Sequence, residues 1–140
     1  KYQQYNKKAI EYFGTIIILV NNAGYGYCVV VEEGDMQDIS TLFETNVWGL
    51  VALIKKVLSS MRKQHRGIIV NVSSHASMES GYKKCFRIVN RSIKETESLG
   101  IKVMIVKPGA LKTDFTGRSL TQSFMVIEDY KLTTMMNGIY

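Results

Sequence analysis

The sequence predicts an α/β fold, a doubly wound parallel sheet of three strands with flanking helices. Three observations carry that prediction. The runs Ile16–Val20, Ile68–Val72 and Ile101–Val106 are short, apolar and rich in β-branched residues, and each is followed by turn-forming residues. The first is unbroken, and runs of this kind mark strands covered on both faces, as in parallel sheets. A long amphipathic stretch separates the first two runs and a shorter helical one separates the last two, so right-handed crossovers bring the strands side by side with helices on the faces.

The elements follow in order. Tyr2, Tyr5, Ile10 and Phe13 form a loose helical stripe that stops at Gly14. Ile16–Val20 is ended by Asn21, Asn22, Ala23 and Gly24, and should be a strand buried on both faces. From Asp38 to about Gln64, Ile39, Leu42, Phe43, Val47, Leu50, Val51, Ile54, Val57, Leu58 and Met61 recur three or four apart. That spacing predicts one long helix, capped by Asp38 and ended by Gly67. Ile68–Val72 leads into Ser73 and Ser74, residues 82–98 suit a further helix, and Ile101–Val106 is closed by Pro108 and Gly109. Residues 110–140 lose strand character and offer only a weak helical stretch around Phe124 to Met136. No repeat or linker interrupts the chain, so residues 1–140 read as a single domain.

Composition narrows the function. Residues are 46% hydrophobic and spread along the chain, which supports a packed core rather than disorder. The formal charge of +6 gathers weakly at Lys55, Lys56, Arg62, Lys63 and Arg66, near the end of the long predicted helix, where cations are favoured by its dipole and solvate an outer face. Neither a nucleic acid nor a membrane surface is expected as a partner. Cys28 and Cys85 are too far apart to suggest a disulfide framework, and His65 and His75 add no ligand spacing, so no metal is expected. KYQQYNKK does not resemble a signal peptide and Ile16–Val20 is too short to span a bilayer. A soluble, cytoplasmic protein is expected, with any targeting signal upstream of Lys1.

In an open parallel sheet, ligands bind at the carboxyl ends of the strands. Those ends read Asn22-Ala23-Gly24, Ser73-Ser74 and Pro108-Gly109. Taken singly, each is an ordinary set of turn formers.

Together they carry a family likeness. LVNNAG at Leu19 to Gly24, TNVWG at Thr45 to Gly49, IIVNVSS at Ile68 to Ser74 and GIKVMIVKPGALKT at Gly100 to Thr113 resemble the short-chain dehydrogenase/reductase family in order and spacing. TDFTGRSL at Thr113 to Leu120 resembles its subgroup that interconverts carbonyls and alcohols. The resemblance implies a partial Rossmann-like sheet, with the N-terminal half upstream of Lys1, and an NAD(P)-dependent oxidoreductase. It places Asn22, Ala23 and Gly24 at the central sheet and the adenosine part of an NAD or NADP cofactor, and Pro108, Gly109 and Thr113 at the nicotinamide. Asn46 matches the catalytic asparagine that holds a water in a proton relay, and Ser74 the serine that hydrogen-bonds the substrate oxygen. A small-molecule carbonyl or alcohol substrate, chosen by the loop after the last strand, and a homo-oligomer are implied as well.

Two departures matter. The family's glycine-rich phosphate turn is not in this sequence, since GYG at Tyr25 to Tyr27 lacks the later glycine and opens no helix. The family's tyrosine, about thirteen residues after the serine, and its lysine four further on are replaced by Arg87 and Arg91, and arginine cannot act as a titrating acid. The nearest tyrosine, Tyr82, is followed by Lys83, Lys84 and, four on, Phe86. Ser74 to Gly100 spans 26 residues where the family has about 35, which points to a deletion or a mis-joined exon around Ser77 to Arg91. The alternative is therefore a catalytically inactive relative. Without the first strands, the 140 residues are also expected to leave a sheet edge unpaired and to pack loosely.

Overall fold

The computed structural model describes residue 8 and residues 11–73, 95–109, 111, 113–122 and 126–132. Its elements are β1 (Ile18–Asn21), β2 (Gly26–Cys28), a 3-10 turn (Val31–Glu33), α1 (Met36–Phe43), a π-helical turn (Glu44–Gly49), α2 (Leu50–Lys63), β3 (Gly67–Val72), β4 (Ile101–Val106), α3 (Phe115–Arg118), β5 (Leu120–Gln122) and a second 3-10 turn (Glu128–Tyr130). The helix expected over 82–98 lies outside the described residues as far as 94, and residues 95–97 are helical. The helical stripe expected over 2–13 is described at residue 8 and residues 11–13, where it is helical and gives way at Gly14, with φ 77. The chain divides into two compact units, Lys1–Asn22 with Gly49–Leu111, and Ala23–Trp48 with Lys112–Tyr140.

The first unit holds the parallel sheet in the order β1-β3-β4. Ile18 pairs with Ile68 and Asn21 with Asn71, while Gly67 pairs with Ile101 and Val72 with Val106, so all three carboxyl ends reach one rim. Its core is Ile54, Val57 and Met61 of α2 against Ile69 and Ile101, with Leu19 and Val103 packed alongside. Positions 54, 57 and 61 recur at helical spacing and form the apolar stripe facing the strands. Burial of a side chain such as Met61 contributes about 1.5–3 kcal/mol.

The first strand departs from expectation. Ile18 and Val20 are each 57% exposed, because they alternate with Leu19 and point away from α2, and no described element covers that face. Only the Leu19 side of β1 is packed. The helix stop also differs. Gly67 opens β3 rather than ending α2; the turn is made by Gln64, whose N–H reaches the Ser60 carbonyl, and by His65 at φ 50. Gly67 is needed for a different reason. A Cβ there would lie 2.7 Å from Met61 Cγ, so its bare Cα makes room for the helix. Gly100, at φ 74, sits against the His65 carbonyl with no space for a side chain.

The second unit is built on β2 and β5, which pair in parallel from Gly26 with Leu120 to Cys28 with Gln122. A strand in residues 110–140 contradicts the expected loss of strand character. LTQ is three residues long and too short to show a period, so its partner rather than its own pattern makes it a strand. The helix cap moves as well. Asp35, not Asp38, caps α1, its extended backbone letting Oδ1 accept from Gln37 N at 2.7 Å and Asp38 N at 3.2 Å. Asp38 instead occupies the first turn, where the helix dipole favours its charge. The long helix expected from Asp38 to Gln64 is thus α1 and α2 joined through a π turn. Among the described residues no helix is long and apolar enough to cross a membrane.

Candidate active site

The rim of the parallel sheet gathers the first group of candidates. Asn22 follows β1 and is exposed; Pro108 is half-buried and Gly109 exposed beyond β4. Among the described residues, a Cβ on Gly109 would meet nothing within 4 Å. Between them Ser73 donates its backbone N–H to the Val106 carbonyl at 2.8 Å, which carries the ladder one step beyond β3. Ser74, the candidate that touches substrate oxygen, lies outside the described residues.

The second unit holds Ala23, Gly24, Asn46 and Thr113. Asn46 lies in the π turn, and its amide is bonded at both ends to one residue: Nδ2 donates to the Tyr25 carbonyl at 2.7 Å, and Oδ1 accepts from the Tyr25 N–H at 3.2 Å. This reciprocal pair fastens the loop after β1 as a strand partner would. Gly24 is tied into the same arrangement, since a Cβ there would come within 3.3 Å of Asn46 Oδ1. The π turn is the geometric means: one wide turn rotates the helix face locally, and such turns recur at functional sites. Ala23 is exposed beside Gly24. Thr113 is exposed, and its Oγ1 accepts from Phe115 N at 3.4 Å at the start of α3. Asn46 and Gly24 therefore meet, whereas Thr113 stands in its own turn.

Three features escape a reading of the sequence. Tyr25 contributes through its backbone, which residue type does not reveal. Asn21 and Asn71, partners in the strand register, meet at the rim end of the core face: Asn21 Nδ2 donates to Asn71 Oδ1 at 2.8 Å. Asn21 Oδ1 and Asn71 Nδ2 are buried and without a partner among the described residues. An asparagine closing each of two apolar runs was the available signal. The third feature is the acidic pair Glu32 and Glu33. Glu33, 2% exposed, accepts from Ile127 N at 2.7 Å, and Glu32 accepts from the Tyr130 hydroxyl at 2.9 Å. The hydrogen bond to Glu32 and the charge of that carboxylate raise Tyr130 above the ordinary tyrosine value.

A parallel sheet with its polar residues at the carboxyl rim defines a Rossmann-like α/β protein. A family model described as short chain dehydrogenase matches residues 1–123. An uncharacterized oxidoreductase of Schizosaccharomyces pombe is 36% identical over 118 residues, covering 78% of this chain and 50% of the relative. A short-chain dehydrogenase from Streptomyces avermitilis superposes with a TM-score of 0.81 at 26% identity, over 99% of this chain and 55% of that one. An NAD+-bound xylitol dehydrogenase superposes with a TM-score of 0.71 at 25% identity, over 82% and 48%. The chain belongs to the short-chain dehydrogenase family. It spans about half the length of the relatives it matches.

Proposed function

We propose that this chain is part of an NAD(P)-dependent oxidoreductase that interconverts a carbonyl and an alcohol on a small molecule. The observation that carries the reading is the Asn46–Tyr25 lock, which ties the residue that follows the NNAG motif to the asparagine of TNVWG. When bound, the nicotinamide cofactor supplies or accepts the hydride. The residues present fit part of it. Exposed Asn22, Ala23 and Gly24 suit the adenosine portion; Pro108, exposed Gly109, which would bring a Cβ near none of the described residues, and Thr113 suit the nicotinamide. No glycine-rich phosphate turn lies within the 140 residues.

In this reading Ser74 donates a hydrogen bond to the carbonyl oxygen and so stabilises the negative charge that develops as the carbon is reduced. Asn46 serves the proton relay. Beyond its two bonds to Tyr25 the amide keeps one N–H and one oxygen lone pair, enough to hold a water while the Tyr25 bonds fix its place. The proton that neutralises the alkoxide needs a titrating donor, and Arg87 and Arg91 cannot supply it. That substitution favours a second reading, a family scaffold that binds cofactor without turnover.

The test is titration calorimetry of the full chain with NADH and with NADPH, alongside Gly109→Leu, whose side chain would fill the open space beside the rim. Binding to the parent, weakened about tenfold or more by the substitution, is expected. A parent that binds neither nucleotide overturns both readings.

A further inference from the structure

We propose that the outer face of α2 docks the chain on an anionic lipid surface, with Lys55, Lys56, Arg62 and Lys63 framing a phosphate seat over Ser59. The positive charge is gathered rather than spread. Between Glu44 and Glu79 there is no aspartate or glutamate, while Lys55, Lys56, Arg62, Lys63 and Arg66 all fall in that interval. All five are exposed, and among the described residues none is in an ion pair. The helical repeat brings them together. Ile54, Val57 and Met61 hold α2 against the sheet, and the opposite side carries Ala52, Lys55, Lys56, Ser59, Arg62 and Lys63, every one of them exposed. Ser59 lies four residues after Lys55, three after Lys56, three before Arg62 and four before Lys63, so these cations are its neighbours on the helix surface. Each is within about 6 Å of it along the axis, inside the Debye length of about 8 Å at physiological salt, so their fields add above Ser59. Its short side chain leaves a low point among four long ones, and its hydroxyl can donate to a phosphate oxygen.

The helix dipole accounts for Arg62 and Lys63, which lie in the last turn of α2, but not for Lys55 and Lys56, about two turns earlier and beyond its reach. The composition of the face selects the partner. Ala52 and Ser59 are its other members, so nothing large and apolar projects to anchor it in the pocket of a protein partner. Residues 50–66 contain no phenylalanine, tyrosine or tryptophan on which the bases of a single strand could stack. A second copy meeting this face across a twofold axis would set the same cations against one another. A lipid surface of net negative charge asks for cations alone, without a matching shape, and each one held near it strengthens binding about fivefold.

Co-sedimentation of the full chain with vesicles tests the proposal, using phosphatidylcholine alone and equal parts of phosphatidylcholine and phosphatidylserine. The chain should sediment with the second and not the first, and should be released at about 1 M salt, where the Debye length falls to about 3 Å. Removing two charges from the face, by Lys56→Gln with Arg62→Gln, should weaken binding about 25-fold. The charge-matched pair Lys8→Gln with Lys102→Gln, both exposed and outside α2, should weaken it about twofold at most. Equal losses in the two pairs would trace binding to net charge and overturn the assignment to α2. Ser59→Glu, which sets a carboxylate among the four cations, should weaken binding about fivefold or more; unchanged binding in that variant overturns the seat. Sedimentation with both kinds of vesicle, or with neither, overturns the lipid surface as partner. So does capture by a DNA duplex, offered in place of the vesicles, by a chain that leaves the anionic vesicles alone.

Discussion

Replacing Asn46 separates its structural work from any chemistry. Asn46→Ala removes two hydrogen bonds to Tyr25, of 2.7 and 3.2 Å, at a half-buried position. At about 1 kcal/mol each the loss is about 2 kcal/mol, which raises the population of the opened loop roughly thirtyfold. Tyr25 is the reporter, because its N–H is the donor to Oδ1, and exchange of that amide should accelerate by a comparable factor. Asn46→Asp sharpens the test. One carboxylate oxygen still accepts from Tyr25 N, but the other takes the place of the Nδ2 donor and faces the Tyr25 carbonyl, oxygen against oxygen. The protonated acid can donate there, so folding favours the protonated form and the variant's folded pKa lies above the unfolded value of about 3.9. The sign follows: the contribution is fully present below the unfolded value and is lost as pH rises through the folded one. The aspartate variant should thus be less protected than the parent at neutral pH and recover on acidification. Equal protection of Tyr25 in the parent and the alanine variant would refute the lock.

Other perturbations follow from the same geometry. Asn71→Leu leaves Asn21 Nδ2 without its acceptor and should cost about 1–3 kcal/mol, whereas the double replacement of Asn21 and Asn71 by leucine should recover most of it, as a double-mutant denaturation cycle would show. Gly100→Ala places a methyl group against the His65 carbonyl at a left-handed φ and should cost about 1–3 kcal/mol in urea unfolding, with Gly67→Ala in a similar range through its clash with Met61. Tyr130, raised above 10.0 chiefly by its hydrogen bond to Glu32, should ionise after the ordinary tyrosines in a spectrophotometric titration. Its tie is therefore lost as pH rises through its folded value, and Glu32→Gln, which removes the charge but keeps an acceptor, should lower that value towards the ordinary range.

Much of the sheet was legible because burial imposes its own pattern. Ile101–Val106 is a strand with the expected limits, and Ile68–Val72 gains only Gly67. Apolar residues dominate both runs, with Asn71 and Lys102 as their polar members. β1 was legible as a strand but not in its environment: an apolar run reports what a strand can bury, and Ile18 and Val20 remain exposed on the face away from α2. β5 was not legible, since three residues carry no period and its pairing with β2 spans more than ninety positions. The cap at Asp35 was missed because two aspartates lie three apart and both suit a helix start; backbone geometry separates them. For the site, residue type pointed to Asn46 and Gly24, which do meet. It could not show that the partner of Asn46 is a backbone, nor that a carboxylate at Glu33 holds an amide 94 residues away.

The family assignment makes hydride transfer the central claim, and transfer of label tests it most directly. Nicotinamide cofactor carrying deuterium at the transferable position is incubated with the full chain and a panel of small carbonyl compounds, and the alcohols are analysed by mass spectrometry. Deuterium is expected on the carbinol carbon of at least one product, strongly reduced in Ser74→Ala. Cofactor that binds while no alcohol gains label would contradict it, and would assign the chain to a family scaffold in which Arg87 and Arg91 have displaced the proton donor.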